Sequence, residues 1–296
     1  MASPCELLLE GKGEAALRRA AAAAIAEVRR IESKFSRYLP HSAVSRINAT
    51  AGGQALDVDA ETASLLDFAA SLWASSGGLF DVTSGVLRRA WDFGAKRLPQ
   101  PGQIESLLPL VGWTQVEWNG SRVRLPRPGM QLDFGGFGKE YAADRAAGVL
   151  LEHGVAHALV NLGGDIHVLG PHGVPHLTGQ PWQVAIERPR PDATGPLATL
   201  AIERGGVATS GDYERFFEQD GKRYCHILDP RTGWPVCEWQ SITAVAANTT
   251  AAGALSTIAM LKDAQAVDWL TAEGAAWLAV RADGELLRHP PLAGGQ

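Results

Sequence analysis

Four short segments place charged or hydroxyl residues beside glycines, where a packed core would need neither, and these are the places where the chain could do chemistry. The most charged runs Leu132-Asp133-Phe134-Gly135-Gly136-Phe137-Gly138-Lys139-Glu140-Tyr141-Ala142-Ala143-Asp144. A short strand ends at Asp133, a glycine turn follows, and a helix begins near Gly138. Amides at a helix N-terminus with Lys139 beside them make a geometry that binds phosphate. The spacing matches neither a Walker A loop nor the dinucleotide GxGxxG fingerprint, so a plain glycine turn before a helix stays open as the alternative.

The second segment is Ala208-Thr209-Ser210-Gly211-Asp212-Tyr213 with Arg223-Tyr224-Cys225-His226-Ile227-Leu228-Asp229-Pro230-Arg231-Thr232-Gly233-Trp234-Pro235. Its Asp229 to Gly233 part is a turn in its own right, because Pro fixes φ and Gly closes the bend. His226 reads either as a satisfied structural histidine or as an acid–base group, and its closeness to Asp229, Arg231 and Thr232 shifts the balance toward chemistry. The third segment, Val160 to Ile166, is a strand running into a Gly163-Gly164-Asp165 bend. The fourth, Gly77-Gly78-Leu79-Phe80-Asp81-Val82-Thr83, is either a helix stop with a turn-capping Asp or part of a site.

The elements that must hold these segments can be read from periodicity. Leu17, Ala21, Ala24, Val28, Ile31 and Phe35 recur at steps of three and four, which predicts an amphipathic helix over 14–37. A second helix runs from Asp59 to Ser76 with Leu65, Leu66, Phe68, Ala69, Leu72 and Trp73 as its buried side, and a third from Gly138 to Gly154. Strand-like runs cover Gln115 to Trp118, Arg122 to Leu125, Ala158 to Asn161, Trp182 to Glu187, Leu197 to Ile202 and Ile242 to Ala246. Asn119-Gly120, Asp220-Gly221 and Asp283-Gly284 predict hairpin turns, and 170–180 and 188–196 read as surface loops. Hairpins between helices point to an α+β fold with a mixed or antiparallel sheet and packed helices, as one domain over 1–296.

Composition narrows the function classes. Lys and Arg total 27 against 32 Asp and Glu, a net charge of -5, which argues against affinity won by neutralising a nucleic-acid backbone. The three cysteines, Cys5, Cys225 and Cys237, are not spaced for a disulfide framework or a zinc site; Cys5 reads as a small, partly buried thiol. The longest apolar stretch, Ala20 to Ala26, is far too short to span a bilayer, so a cytoplasmic location is the expectation for the chain as numbered. Glycine, at 33 of 296 residues, exceeds the usual share of ~7%, so many backbone positions turn sharply or approach something closely.

In their order along the chain, five segments resemble the ApbE-type FAD:protein FMN transferases: Phe35-Ser36-Arg37-Tyr38 with Ser45 to Asn48, Gly78 to Thr83, Leu132 to Asp144, Asn161 to Asp165, and Ala208 to Pro235. The resemblance implies an enzyme that takes FAD and magnesium and moves the FMN half onto a Thr or Ser hydroxyl of a target flavoprotein, releasing AMP. It implies FAD contacts at Met1, Tyr38, Leu79, Phe80, Asp81, Asp133, Lys139, His226 and Ile227, with His226 and Lys139 catalytic and the imidazole neutral at working pH. The family's early Met-Gly-Thr motif falls on Met1-Ala2-Ser3, which leaves room for an upstream start or an exporting leader.

Two positions depart from the pattern. Where the family carries Ala-Asp-x-x-x-Thr at a late helix, this chain reads Ala252-Gly253-Ala254-Leu255-Ser256-Thr257, so the metal-binding Asp is replaced by Gly253 while Thr257 is kept. Where the family has Lys-Gly, this chain has Lys139-Glu140. Glu140 follows Gly136, the position of the metal-binding carbonyl, by one helical turn, so the metal set expected here is Gly136, Thr257 and Glu140. The alternative for Glu140 is a solvated residue favoured by the helix dipole. Two other functions fit the same residues: hydrolysis of FAD to free FMN and AMP, or FAD binding without catalysis.

Overall fold

The computed structural model describes residues 3–190 and 194–290. The chain opens with strand β1 (Cys5–Glu10) and helix α1 (Glu14–Phe35), followed by α2 (Ala43–Ala49), β2 (Leu56–Asp57) and α3 (Ala60–Ser76). Then come α4 (Gln103–Leu107), β3 (Glu117–Trp118), β4 (Arg122–Arg124) and α5 (Gly138–Glu152). The remaining elements are β5 (His157–Leu162), β6 (Asp165–Val168), β7 (Trp182–Ile186), β8 (Ala198–Ile202), β9 (Gly205–Gly211), β10 (Phe216–Gln219), β11 (Lys222–Cys225), β12 (Trp239–Ala246), α6 (Thr249–Lys262), α7 (Ala266–Ala272), β13 (Ala276–Arg281) and β14 (Leu286–His289).

Seven strands form the main sheet in the order β1-β5-β6-β9-β12-β13-β14, and every neighbouring pair is antiparallel. The α+β expectation therefore holds, with an antiparallel sheet. Because side chains alternate across a strand, the two faces carry different cores. Ala158, Val160 and Leu162 of β5 pack against α1, α3 and α5, while Leu159, Val168, Val207 and Leu278 lie under the β7–β8 hairpin with Trp182, Val184 and Ile202. Phe137 and Leu150 of the α5 region are completely buried, each worth roughly 1.5–3 kcal/mol relative to exposure.

The local signals explain the boundaries. Asp59 caps α3 by accepting from the Thr62 amide at 3.1 Å, and Gly77, at φ 70°, ends it in the left-handed region. The first helix stops at Phe35, and only Glu117 and Trp118 of the 115–118 run are extended, because Trp113–Gln115 is a 3-10 turn. Asn119-Gly120, Asp220-Gly221 and Asp283-Gly284 connect antiparallel pairs as expected. Strand β1 carries no clean alternation because it is an edge strand, and Cys5 on it is exposed, which corrects the partly buried reading. Among the described residues no helix is long and apolar enough to cross a membrane.

Candidate active site

Helices α5 and α6 lie side by side on one face of the sheet and run in opposite directions, as their contacts show. Asp144, nearly two turns into α5, accepts from the Thr249 and Thr250 amides at 2.8 and 2.9 Å, so it supports the start of α6 beside the Asn248 cap. The same carboxylate accepts from His167 Nδ1 at 2.7 Å, which ties both helices to β6. These bonds overcome its burial and hold its pKa below the ordinary carboxylate value. Four residues earlier on α5 stands Glu140, and four residues later on α6 stands Gly253. The two meet: a Cβ at 253 would lie 2.6 Å from Glu140 Cγ and 3.0 Å from its Oε1. Thr257 stands one further turn along α6, toward the end of the pair at which α5 begins.

Lys139 is fixed from the sheet side. Strands β5 and β6 are joined by Gly163 and Gly164, with φ 66° and 92°, a two-residue turn that glycine adopts without strain. The Gly163 carbonyl accepts from Lys139 Nζ at 3.2 Å, and Asp165, on the helix side of β6, pairs with the same ammonium at 2.7 Å. Burial alone would lower the Lys139 pKa, but the neighbouring Asp165 and Glu140 carboxylates raise it above the ordinary value. One cation thus faces two carboxylates. Asp165 takes it, and Glu140, only 7% exposed, keeps a buried Oε2 with no hydrogen-bond partner. Burial, and then Asp165, push the Glu140 pKa well above the carboxylate range.

His226 follows β11 and is partly covered. Its amide donates to the Arg215 carbonyl at 3.0 Å, and its Nδ1 is buried without a partner. Burial first, then the charges of Arg215, Arg88 and Lys139, pull its pKa down to about 3. The imidazole is therefore neutral at ordinary pH, as the sequence reading required. Nearby, Asp133 receives Arg37 Nη1 at 2.9 Å and its own turn amide from Gly135 at 2.8 Å. No strand ends at Asp133, against the expectation; instead Asn48 pins the segment before it, donating to the Leu132 carbonyl at 2.9 Å and accepting from its amide at 2.6 Å. Tyr38 is 73% exposed, with the Arg37 guanidinium 5.9 Å from its ring and Arg215 engaging its hydroxyl. Arg37, Arg88, Arg215 and Lys139 thus make a cationic rim around Asp133 and His226.

The structure gathers Lys139, Glu140, Asp133, Tyr38 and His226 around the N-terminal end of α5, with Thr257 entering from α6. Thr257 Oγ1 is 2.9 Å from Ser210 Oγ of β9. The Leu79-Phe80-Asp81 block borders the same turn: a Cβ at Gly136 would lie 2.7 Å from Phe80 Cζ, and the Asp133 amide donates to the Val82 carbonyl at 2.8 Å. Leu79 and Phe80 are buried in the core, and Asp81 Oδ1 accepts from the Thr83 amide and hydroxyl while Oδ2 accepts from the Trp113 amide. Its carboxylate organises two loops and faces the protein's own donors. Ile227 is likewise buried, and Met1 lies outside the described residues.

Three side chains on which the site depends, Asp165, Asp144 and Arg37, are not marked as site residues by their place in the sequence. Two of them had a signal. Asp165 and His167 share a strand face by the two-residue period, and Asp144 lies one turn after Glu140. Among the described residues no group of three or more His, Cys, Asp or Glu could hold a metal, so a cation here would need mixed oxygen donors. The Glu140 carboxylate, the Thr257 hydroxyl and the Gly136 carbonyl are hard oxygen donors of the kind magnesium takes, and the unpartnered Glu140 Oε2 is a buried acceptor lacking its cation or proton.

Known proteins resemble this chain along most of its length. A proteins named "FAD:protein FMN transferase" from Klebsiella pneumoniae is 34% identical over 227 residues, covering 75% of this chain and 69% of its own. One of the same name from Treponema pallidum is 36% identical over 230 residues, covering 73% of this chain and 64% of its own. This chain thus spans about two thirds of the length of these relatives. The crystal structure of the ApbE protein from Thermotoga maritima superposes with a TM-score of 0.86 at 33% identity, over 97% of this chain and 93% of that one. The description of the ApbE family matches residues 1–279, and the chain belongs to that family.

Proposed function

We propose that this protein transfers the FMN half of FAD to a Thr or Ser hydroxyl of a target flavoprotein and releases AMP. The observation that carries the reading is His226: a neutral imidazole with a buried, unpartnered Nδ1, set among three cations and next to the Lys139–Asp165 pair. A neutral imidazole in a cationic pocket suits a hydroxyl that must lose its proton beside a pyrophosphate.

In the step this site supports, the hydroxyl oxygen attacks the FMN phosphorus, and the bond from that phosphorus to the oxygen bridging it to AMP breaks. The hydroxyl proton passes to the neutral His226 imidazole, and AMP leaves with the bridging oxygen. Lys139, held charged and oriented by Asp165 and the Gly163 carbonyl, neutralises the negative charge that grows on the phosphoryl oxygens. Arg37 fixes Asp133 and the turn, and Tyr38 offers an exposed ring at the rim for the flavin or adenine. Magnesium, held by the Gly136 carbonyl, Thr257 and Glu140, would supply further charge neutralisation at the pyrophosphate.

The test is a product analysis with FAD and magnesium, run with and without a peptide that carries an acceptor Thr. The proposal expects AMP to appear in step with the peptide. AMP and free FMN formed equally without peptide would instead mark a hydrolase, and FAD bound but unchanged would mark a binding protein.

A further inference from the structure

Glu140 and Gly253 pose one packing problem and one charge problem, and a single role for Glu140 answers both. The packing is reciprocal. At 253 no side chain fits, because its first carbon would sit 2.6 Å from Glu140 Cγ, well inside any real contact. The obstruction is the near end of the Glu140 side chain, whose Cδ and Oε1 would also lie 3.0 Å from that carbon, so a swing of the carboxylate alone does not relieve it. The volume that a side chain at 253 would fill is the volume Glu140 occupies.

The charge is unbalanced. Glu140 is 7% exposed and Asp165 3%, and the one ammonium among them is committed to Asp165 at 2.7 Å. Glu140 Oε2 has no donor from any neighbour, although the rest of this region is closely bonded: Ser256 Oγ donates to the Gly253 carbonyl at 3.1 Å, and Ser210 Oγ meets both Ser256 and Thr257 at 2.9 Å. A buried carboxyl oxygen left without a hydrogen-bond partner is expensive, and natural structures retain one where a cation or a reaction needs it. The Glu140 side chain lies where α5 faces Gly253 across the helix pair, one turn of α6 before Thr257.

We propose that Glu140 is the charged ligand of the divalent cation in this chain, and that positions 140 and 253 form an exchangeable pair in which either one, but never both, carries the carboxylate. The proposal rests on the phosphoryl-transfer reading of the same site, and it makes a statement about metal affinity that is independent of turnover.

The experiment is direct binding of Mn2+ alone to the metal-free protein, followed by the loss of the free-ion paramagnetic resonance signal, with FAD binding measured separately by flavin fluorescence. The wild type is expected to bind one Mn2+, and Glu140→Gln, nearly the same in shape, to weaken it by more than about 100-fold, beyond the loss typical of residues that only support a ligand. Gly253→Asp alone is expected to weaken binding and lower the melting temperature through the clash. The double variant Glu140→Gly with Gly253→Asp is expected to recover Mn2+ affinity to within about 10-fold of wild type, since the carboxylate then projects from the other helix. Wild type without an Mn2+ site, or Glu140→Gln binding as wild type does, overturns the proposal. Failure of the folded double variant to recover affinity overturns the exchange. Loss of FAD binding by the wild type would instead strike the functional reading on which the proposal rests.

Discussion

The depressed pKa of His226 makes a quantitative prediction about acid stability. In the unfolded chain the imidazole titrates at its ordinary value of 6.5; in the folded protein burial and the charges of Arg215, Arg88 and Lys139 bring it to about 3. The folded state binds the proton later than the unfolded state, so its stabilising effect is fully present above pH 6.5 and is lost as the pH falls through that value toward 3. Each pH step in this window removes about 1.4 kcal/mol. At pH 4.5 the loss attributable to this residue is about 3 kcal/mol, and it approaches about 5 kcal/mol when complete. His226→Gln keeps a polar group of similar size and has no such titration. Urea unfolding followed by tryptophan fluorescence at pH 7, 6, 5 and 4.5 gives the difference between the two proteins, in which the other acid-titrating groups cancel. The wild type should lose about 3 kcal/mol more than the variant between pH 7 and 4.5. Parallel curves would refute the claim that the fold holds this imidazole neutral, and with it the assignment of His226 as the base.

Three further outcomes follow from other contacts. Asp144→Ala leaves the Thr249 and Thr250 amides without their acceptor while the Asn248 cap on Ala251 stays, and should cost about 2–4 kcal/mol in denaturant unfolding. Lys139→Met should lower FMN transfer by about 100-fold or more and reduce stability by about 1–2 kcal/mol, because Asp165 loses its partner while the pair retains some solvent screening; kinetics and melting on the same preparation separate the two effects. Gly206→Ala should destabilise by about 3 kcal/mol, since the new carbon would lie 2.2 Å from the backbone of Asn248 and Thr249, and a change below about 0.5 kcal/mol would show that the β12–α6 turn gives way freely.

Local signals in the sequence carried much of the architecture. The stripe of α1, the Asp59 cap and Gly77 stop of α3, and three Asn-Gly or Asp-Gly hairpins each have a cause within a few residues, and each stands where that cause puts it. Strand β1 was not legible, because an edge strand shows no alternation and its pairing with β5 depends on residues about 150 positions away. The site divided in the same way. Lys139, His226 and Asp133 stood out by their glycine neighbours, whereas the partners that fix them, Asp165 and Arg37, come from other elements and depend on the sheet and on α1. Leu79, Phe80 and Asp81 shared a glycine-rich setting with the site, yet the first two serve the core and the third holds loops together, because a glycine pair after a helix is also how a helix ends. That Glu140 points inward was open in the sequence, where a helix-start carboxylate could equally face water. Gly253 decides it, since the absent side chain leaves the volume that Glu140 fills.

The measurement closest to the central claim is the mass of an acceptor peptide after incubation with the protein, FAD and magnesium, with fragmentation to locate any adduct. The account predicts a single FMN attached through phosphate to the Thr hydroxyl, AMP in equal amount, and no adduct on a peptide with Val in place of that Thr. An unmodified peptide alongside free FMN and AMP, or alongside intact FAD, would contradict it.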